Sequence, residues 1–575
     1  MRTWKAVVST LVLFSLVPVG VFSDSEQKGT KLSLPARKKN SFFAEIDQSI
    51  LALLENGSPS SLIKILSSLR KSNGQYSDAE RGILFIASGI LRTCFSSEYK
   101  PEYLVTSPKD LSKNVYVGAL EFALEGVYDY AAGSADFLSL VLPSVSFCVS
   151  QTPDADSFSV AEQSLSEALK IKKNSVLANY LMGKVLFIQK KYAEATSFFD
   201  TAHELAPDVF ELSFDFASSL FYDGKIDRAD AMARSLFASI PQENDIQRRN
   251  ALKLCAETAF TVGDFDSAET YVARILQQES SSSYYLLFRV KILMSKGDYI
   301  RAASLLDVYS RTDSSSRDYL LLRSKIQRDW NKNYALALST IERAVSLYGN
   351  DTDVLLEAAR LASENGGTVS GMTAGELASL VLQKDGENKN ARLILVKSLS
   401  GEKKWSEAYS LGKSLLEEEG SGASDDLLFS FIEIALHFGK KDEAWKIASK
   451  LYNERSDDEG VIQAYLSVLI ETGRKSDAQK IIEKLLPKSS AKLKSFLYYQ
   501  RSFLVSGEDA LLSDLRSSLT ANPRNRDALF RLYEIYFSKK EYRKAQYYLK
   551  QVVALSPSDE TLISLNANLD SLLRK

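Results

Sequence analysis

Residues Val176 to Val209 read VLANYLMGKVLFIQKKYAEATSFFDTAHELAPDV. Apolar residues return every three or four positions on both sides of Lys190-Lys191. That spacing predicts two short amphipathic helices joined by a turn. Pro207 closes the stretch, because proline cannot continue a helix. The same landmarks then come round again. Ala195 recurs as Ala229 and Pro207 as Pro241, both after 34 residues. Gly263-Asp264-Phe265-Asp266-Ser267-Ala268 recurs as Gly297-Asp298-Tyr299-Ile300-Arg301-Ala302, again after 34. Gly439 and Ala444 return as Gly473 and Ala478, and Pro523 as Pro557, at the same interval. A fixed period of this length marks an array of helical hairpins, each too small to bury its own apolar face.

Each landmark has a packing role. Gly183 and Ala217 lie midway along the first helix of a hairpin, where a small residue lets the second helix come close. Ala195, Ala229, Ala268, Ala302, Ala337, Ala408, Ala444, Ala478 and Ala545 fall early in the second helix, where neighbouring hairpins touch. Tyr192, Phe265, Tyr299, Tyr334, Trp405 and Tyr542 open that second helix and seal the joint. Glycines 224, 263, 297, 439 and 473 sit at the end of the first helix, as a left-handed cap requires.

A 34-residue period with these residues resembles the tetratricopeptide repeat (TPR) family. The resemblance covers about 142–557 and implies an all-α fold: a right-handed α-solenoid of stacked hairpins, about ten to twelve in number. Units 352–388 and 492–525 are degenerate. The first has a long connection, Asn365 to Met372, before a capping box at Thr373-Ala374-Gly375-Glu376; the second lacks the helix B alanine. Unit 526–558 fits well, with Leu529, Tyr533, Tyr536, Tyr542, Ala545 and Pro557 in register. Residues 558–575 form a capping helix on the open end. Residues 41–141 read as a divergent helical region, with a capping box at Ser77-Asp78-Ala79-Glu80 and no clean repeat landmarks.

The N-terminus has the layout of a secretory signal peptide over 1–23. Arg2 and Lys5 precede an apolar run from Ala6 to Phe22, broken by Pro18 and Gly20, and Val21-Phe22-Ser23 suits cleavage after Ser23. An uncleaved signal anchor is the other reading. Residues 24–40 form a polar, flexible linker. No later run approaches the length of a membrane span, so the expected mature chain has no transmembrane segment. It is expected in a bacterial periplasm or cell envelope, or secreted.

Composition narrows the chemistry. The 575 residues carry 71 Lys+Arg against 73 Asp+Glu, a net charge of −2, which excludes a global basic field for nucleic acid. Two histidines, His203 and His437, leave little for metal or acid–base work. No phosphate loop, H-E-x-x-H pair or G-x-S-x-G elbow occurs. No catalytic residue, metal site or cofactor is expected. Cys94, Cys148 and Cys255 are too few for a disulfide scaffold; buried free thiols are expected, with one bridge left open.

The resemblance implies a non-enzymatic scaffold that holds a partner peptide or domain in a concave groove lined by first helices. Counting from 176, 210, 492 and 526, positions five and twelve are Tyr180/Phe187, Phe214/Phe221, Phe496/Phe503 and Phe530/Phe537. Seven residues make nearly two turns, so each pair shares a helix face. These rings are the expected partner-binding residues, suited to an apolar or amphipathic segment; helix packing is their other use. A surface-exposed adhesin, and a small-ligand or enzyme function in 41–141, stand as alternatives.

Overall fold

A computed structural model describes residues 46–70, 75–107, 114–130, 136–149, 155–242, 244–555 and 560–574. The leader with its cleavage point at Ser23, the 24–40 linker and Pro557 lie outside the described residues. The chain divides into two compact units, Met1–Tyr309 and Ser310–Lys575.

In the first unit the helices run α1 Gln48–Asn56, α2 Pro59–Ser68, α3 Asp78–Cys94, α4 Val115–Leu124, α5 Phe137–Val141 and α6 Ala155–Ile171. Four hairpins follow: α7 Val176–Ile188 with α8 Tyr192–Leu205, α9 Phe210–Tyr222 with α10 Ile226–Ser239, α11 Asp245–Val262 with α12 Phe265–Gln278, and α13 Ser283–Ser295 with α14 Tyr299–Tyr309. A 3-10 turn, Leu142–Cys148, continues α5.

The second unit holds seven hairpins: α15 Arg317–Asp329 with α16 Tyr334–Tyr348, α17 Thr352–Asn365 with α18 Ala374–Lys384, α19 Lys389–Gly401 with α20 Trp405–Glu419, α21 Asp425–His437 with α22 Lys441–Glu454, α23 Glu459–Glu471 with α24 Lys475–Leu485, α25 Ala491–Arg501 with α26 Glu508–Ala521, and α27 Arg526–Ser538 with α28 Tyr542–Leu555. α29, Glu560–Arg574, packs on α28 as the terminal helix. Within each unit, helices consecutive in the chain pack side by side, which is the stacking of an α-solenoid.

The six predicted aromatics are each the first residue of their second helix. One turn recurs between first and second helices. Lys191, Lys225, Asp264, Asp298, Lys404, Lys440, Arg474 and Glu541 each donate their N–H to the carbonyl five residues back, at 2.7–2.9 Å. The residue before each donor is left-handed: Gly224, Gly263, Gly297, Gly439 and Gly473, but also Lys190, Lys403 and Lys540. This is a Schellman closure of the helix end, and glycine is its usual occupant.

The fourth residue of the second helix decides how closely hairpins approach. Ala195, Ala229, Ala268, Ala302, Ala337, Ala408, Ala444, Ala478 and Ala545 occupy it and are 0% exposed. The two degenerate units carry Leu377 and Leu511 there. Gly183 has its own constraint: a Cβ would lie 2.7 Å from the Phe199 ring on α8. Pro207, Pro241 and Pro523 each stand two residues beyond their helix and are exposed.

Spacing departs furthest from 34 at two places. Second helices start 39 residues apart at Ile226 and Phe265, because α11 is 18 residues long. They start 40 apart at Tyr334 and Ala374. There the connection folds into an antiparallel pair, β1 Thr368–Val369 and β2 Met372–Thr373, with Thr368 opposite Thr373. Ser370 and Gly371 both have positive φ, which matches the right-handed strand twist of a two-residue turn. Thr373 then caps α18 through the predicted box with Glu376, and Ser77 does the same for α3 with Glu80.

The helices before the first hairpin do not form a core of their own. One cluster of buried side chains runs without a break from Leu54 through Leu91, Leu120, Val141 and Leu177 to Ala229. Gly57, left-handed at φ 65°, rests against Leu177, and a Cβ there would come within 2.5 Å of the Leu177 Cβ. Lys172 pairs with Glu55 at 2.9 Å across the same joint. Among the described residues no helix is long and apolar enough to cross a membrane.

Candidate groove on the first helices

Three consecutive first helices, α7, α9 and α11, form one wall of a groove of about 610 Å³ in the first unit. α7 gives Tyr180 and Lys184; α9 gives Phe210, Glu211, Phe214 and Asp215; α11 gives Asp245, Ile246, Gln247 and Asn250. The opposite wall comes from the N-terminal helices: Thr93, Cys94, Ser96, Ser97 and Cys148. Ile246 is 73% exposed, a large apolar side chain left in water at the groove edge. Phe210 and Phe214 stack beside it with ring centroids 5.5 Å apart.

The groove floor is polar and tied together. Asp215 Oδ2 accepts from the Tyr180 hydroxyl at 2.8 Å and pairs with Lys184 Nζ at 2.6 Å. The Lys184 ammonium also lies 5.5 Å from the Tyr180 ring centre. Burial pulls the Lys184 pKa down, but the Asp215 carboxylate together with the nearby cysteines outweighs it and the net shift is upward. The same charge and burial push the Tyr180 phenol well up, so it stays a hydrogen-bond donor. Glu211 accepts from Ser97 N–H at 2.7 Å, Ser97 Oγ at 2.7 Å and Ser96 Oγ at 3.1 Å, fixing the loop after α3 to α9.

The structure brings Tyr180 and Phe214 together in this groove. Phe187 turns between helices instead, edge-on to Tyr192 at 5.3 Å and to Tyr222 at 5.4 Å. Phe221 is buried, 6% exposed, in the cluster that runs to Ala229. In the second unit Phe496 is half-buried beside Leu493 and Leu497. Phe503 is 39% exposed and carries the Arg531 guanidinium 3.5 Å from its ring centre. Phe530 and Phe537 are half-buried against Tyr533 at 5.4 and 5.7 Å. A hollow of about 650 Å³ in this unit lies elsewhere, among the ends of α22 and α24 around Tyr452, Asp457, Lys484 and Lys488.

Lys184, Asp215, Glu211 and the two cysteines were not among the expected groove residues. A signal for the first two exists in the sequence. Lys184 is the one charge in VLANYLMGKVLFI, and Asp215 sits mid-helix between two phenylalanines in FELSFDFASSLFY. A charge on a buried helix needs a partner, and a neighbouring repeat is the place to seek it. The two histidines have packing roles: His203 lies 3.2 Å from Ser213 Oγ, and His437 stacks on Trp405 at 4.4 Å.

The chain matches no protein-family model and no curated protein sequence. Solved structures similar to it include a tetratricopeptide repeat protein from Parabacteroides merdae, 18% identical, covering 49% of this chain and 97% of that one, with a TM-score of 0.32. Yeast Tom70 is 12% identical and covers 76% and 96%, with a TM-score of 0.34. Cut9, in the Cut9–Hcn1 hetero-tetramer of the APC/C, is 12% identical and covers 72% and 93%, with a TM-score of 0.33. The paired helices, left-handed turns and buried alanines described above are those of an all-α solenoid of stacked helix hairpins.

Proposed function

We propose that this chain is a non-enzymatic scaffold that holds a segment of a partner protein in the groove formed by α7, α9 and α11. The observation that carries this is the pairing of a rigid polar floor with an apolar edge. Asp215 locks Tyr180 and Lys184 in place, while Ile246 at 73% exposure and the half-buried Phe210, stacked on the buried Phe214, offer apolar surface. Preorganised walls reduce the ordering cost of binding, and aromatic rings supply contact area. The leader-like first 23 residues support export to a bacterial periplasm or envelope, with cleavage after Ser23.

The experiment is capture. Full chain and an Ile246→Asp/Phe210→Ser variant are immobilised and exposed to envelope extract, and bound proteins are identified by mass spectrometry. A protein retained by the full chain and lost from the variant, at unchanged Tm, supports the groove. Equal retention by both places the binding surface elsewhere. N-terminal sequencing of the exported product is expected to begin at Asp24; retention of Met1 in a membrane fraction overturns the cleaved leader.

A further inference from the structure

Cys94 is the last residue of α3 and Cys148 the last of the Leu142–Cys148 turn. They are 54 positions apart in the chain, yet both open onto the same groove wall. Both belong to the cluster that runs from Leu54 to Ala229, and α3 packs on that turn. Aromatic packing holds the backbone on each side. Phe95 lies against Tyr180 at 5.4 Å, and Phe147 lies against Phe158 at 5.3 Å and Tyr128 at 5.7 Å. Both thiols are free. They differ in access: Cys94 is 2% exposed, whereas Cys148 is half-buried and reachable from the groove.

Cys255 offers an internal contrast. It is 0% exposed within α11, belongs to a separate cluster with Phe214 and Leu254, and has its thiol pushed up to about 12 by burial. Among the described residues no second thiol lies in its cluster. Burial, the neighbouring Cys148 and Glu211 hold the Cys94 thiol well up against the opposing charge of Lys184, so Cys94 acts second, on a sulfur already beside it.

We propose that Cys94 and Cys148 are a modification site: a vicinal thiol pair that closes to a reversible disulfide across the groove wall when it meets a small disulfide oxidant. The half-buried Cys148 reacts first. Its Sγ gives up a proton, attacks one sulfur of oxidised glutathione and expels one glutathione thiolate, leaving a mixed disulfide on Cys148. Cys94 then gives up its proton, and its Sγ attacks the Cys148 sulfur and expels the second glutathione thiolate. Two protein thiols are oxidised, the oxidant is reduced to two thiols, and the two protons end on those thiols. The bond ties the end of α3 to the turn before α6 and fixes that wall of the groove. It does not depend on what the groove binds.

The test uses the full chain, reduced and then incubated folded with oxidised glutathione. Proteolysis and mass spectrometry are expected to give one cross-linked product joining the Cys94 and Cys148 peptides, lighter by two hydrogens than the pair of free peptides. Cys255 is expected to be alkylated only after unfolding. The oxidised chain is expected to melt roughly 5 °C or more above the reduced chain, because the link closes a long loop of the unfolded state. Cys148→Ser is expected to remove the cross-link and to melt at the same temperature with and without oxidant. Failure of the folded wild-type chain to give the Cys94–Cys148 product under excess oxidant, or pairing of either residue with Cys255, overturns the proposal.

Discussion

Lys184 on α7 and Asp215 on α9 form an ion pair of 2.6 Å whose side chains are only 13% and 7% exposed. It joins two successive repeats through their first helices, in a position where most neighbours are apolar. Removing one partner leaves the other charge buried, which costs about 3–5 kcal/mol. Asp215→Ala is expected to lose that much in urea or thermal melts. Replacing both residues with apolar side chains of similar size, Lys184→Met with Asp215→Leu, is expected to recover most of it. Equal losses in the single and double variants would mean the pair is not the source of the stability.

Close approach at two glycines gives a second expectation. Gly183→Ala drives a methyl group to 2.7 Å from the Phe199 ring, and overpacking of this kind costs about 1–3 kcal/mol. Gly57→Ala adds a left-handed backbone to its clash with Leu177, so its loss is expected at or beyond the top of that range. Melts of the two variants check the order.

The inter-helix turns separate backbone strain from packing. A Cβ at Gly263, Gly297, Gly439 or Gly473 meets nothing within 4 Å. Alanine at any of them tests the left-handed conformation alone, with an expected loss of about 1 kcal/mol. Lys190, Lys403 and Lys540 already bear that strain at the equivalent turn position, with φ of 63°, 59° and 59°. Changing any of them to glycine is expected to gain up to about 1 kcal/mol, the relief of strain less the added freedom of the unfolded chain. Lower melting temperatures for the glycine variants would contradict this.

Glu257 on α11 makes stability depend on pH. It is 3% exposed, and burial pushes its pKa up to about 7, although the Tyr284 hydroxyl donates to it and Lys291 lies near. The folded chain therefore holds a proton that the unfolded chain has already released above its ordinary value of about 4.3. Stability falls as pH rises from about 4.5 to 7 and then levels, by about 3 kcal/mol in total. Glu257→Gln keeps an acceptor for Tyr284 without the charge. It is expected to flatten this dependence, matching the parent at pH 4 and exceeding it by about 3 kcal/mol at pH 8. Parallel melts at the two pH values decide the point.

The parts of the fold legible in the sequence are those set within one hairpin or between adjacent ones. The glycine turns and the boxes at Ser77 and Thr373 depend on neighbours a few residues away, and the aromatics and small residues of the second helices come round with each repeat. What escaped depends on distant neighbours. Lysine in a left-handed turn looks like any exposed lysine in a sequence. Glu211 meets Ser96 and Ser97 across more than 110 positions, and the two cysteines meet only once α3 packs on the turn after α5. The aromatic positions were readable as one helix face. Which rings line a groove was not: Phe187 faces Tyr222 of the next hairpin, whereas Phe214, though buried, borders the groove that Cys94 also lines.

The buried cluster that runs from Leu54 to Ala229 also sets an order of events during synthesis. As the chain is made, α1 to α3 have no core to complete until the second hairpin has followed them. At about 5–20 residues per second, that wait lasts roughly 10–40 s. Until then, Ile83, Ile86, Leu120 and Leu142 have no full set of partners, and this stretch is where a holding chaperone has most to cover. In the second unit the apolar clusters are short, such as Leu512 to Leu569, so each new hairpin finds its partners soon after it emerges.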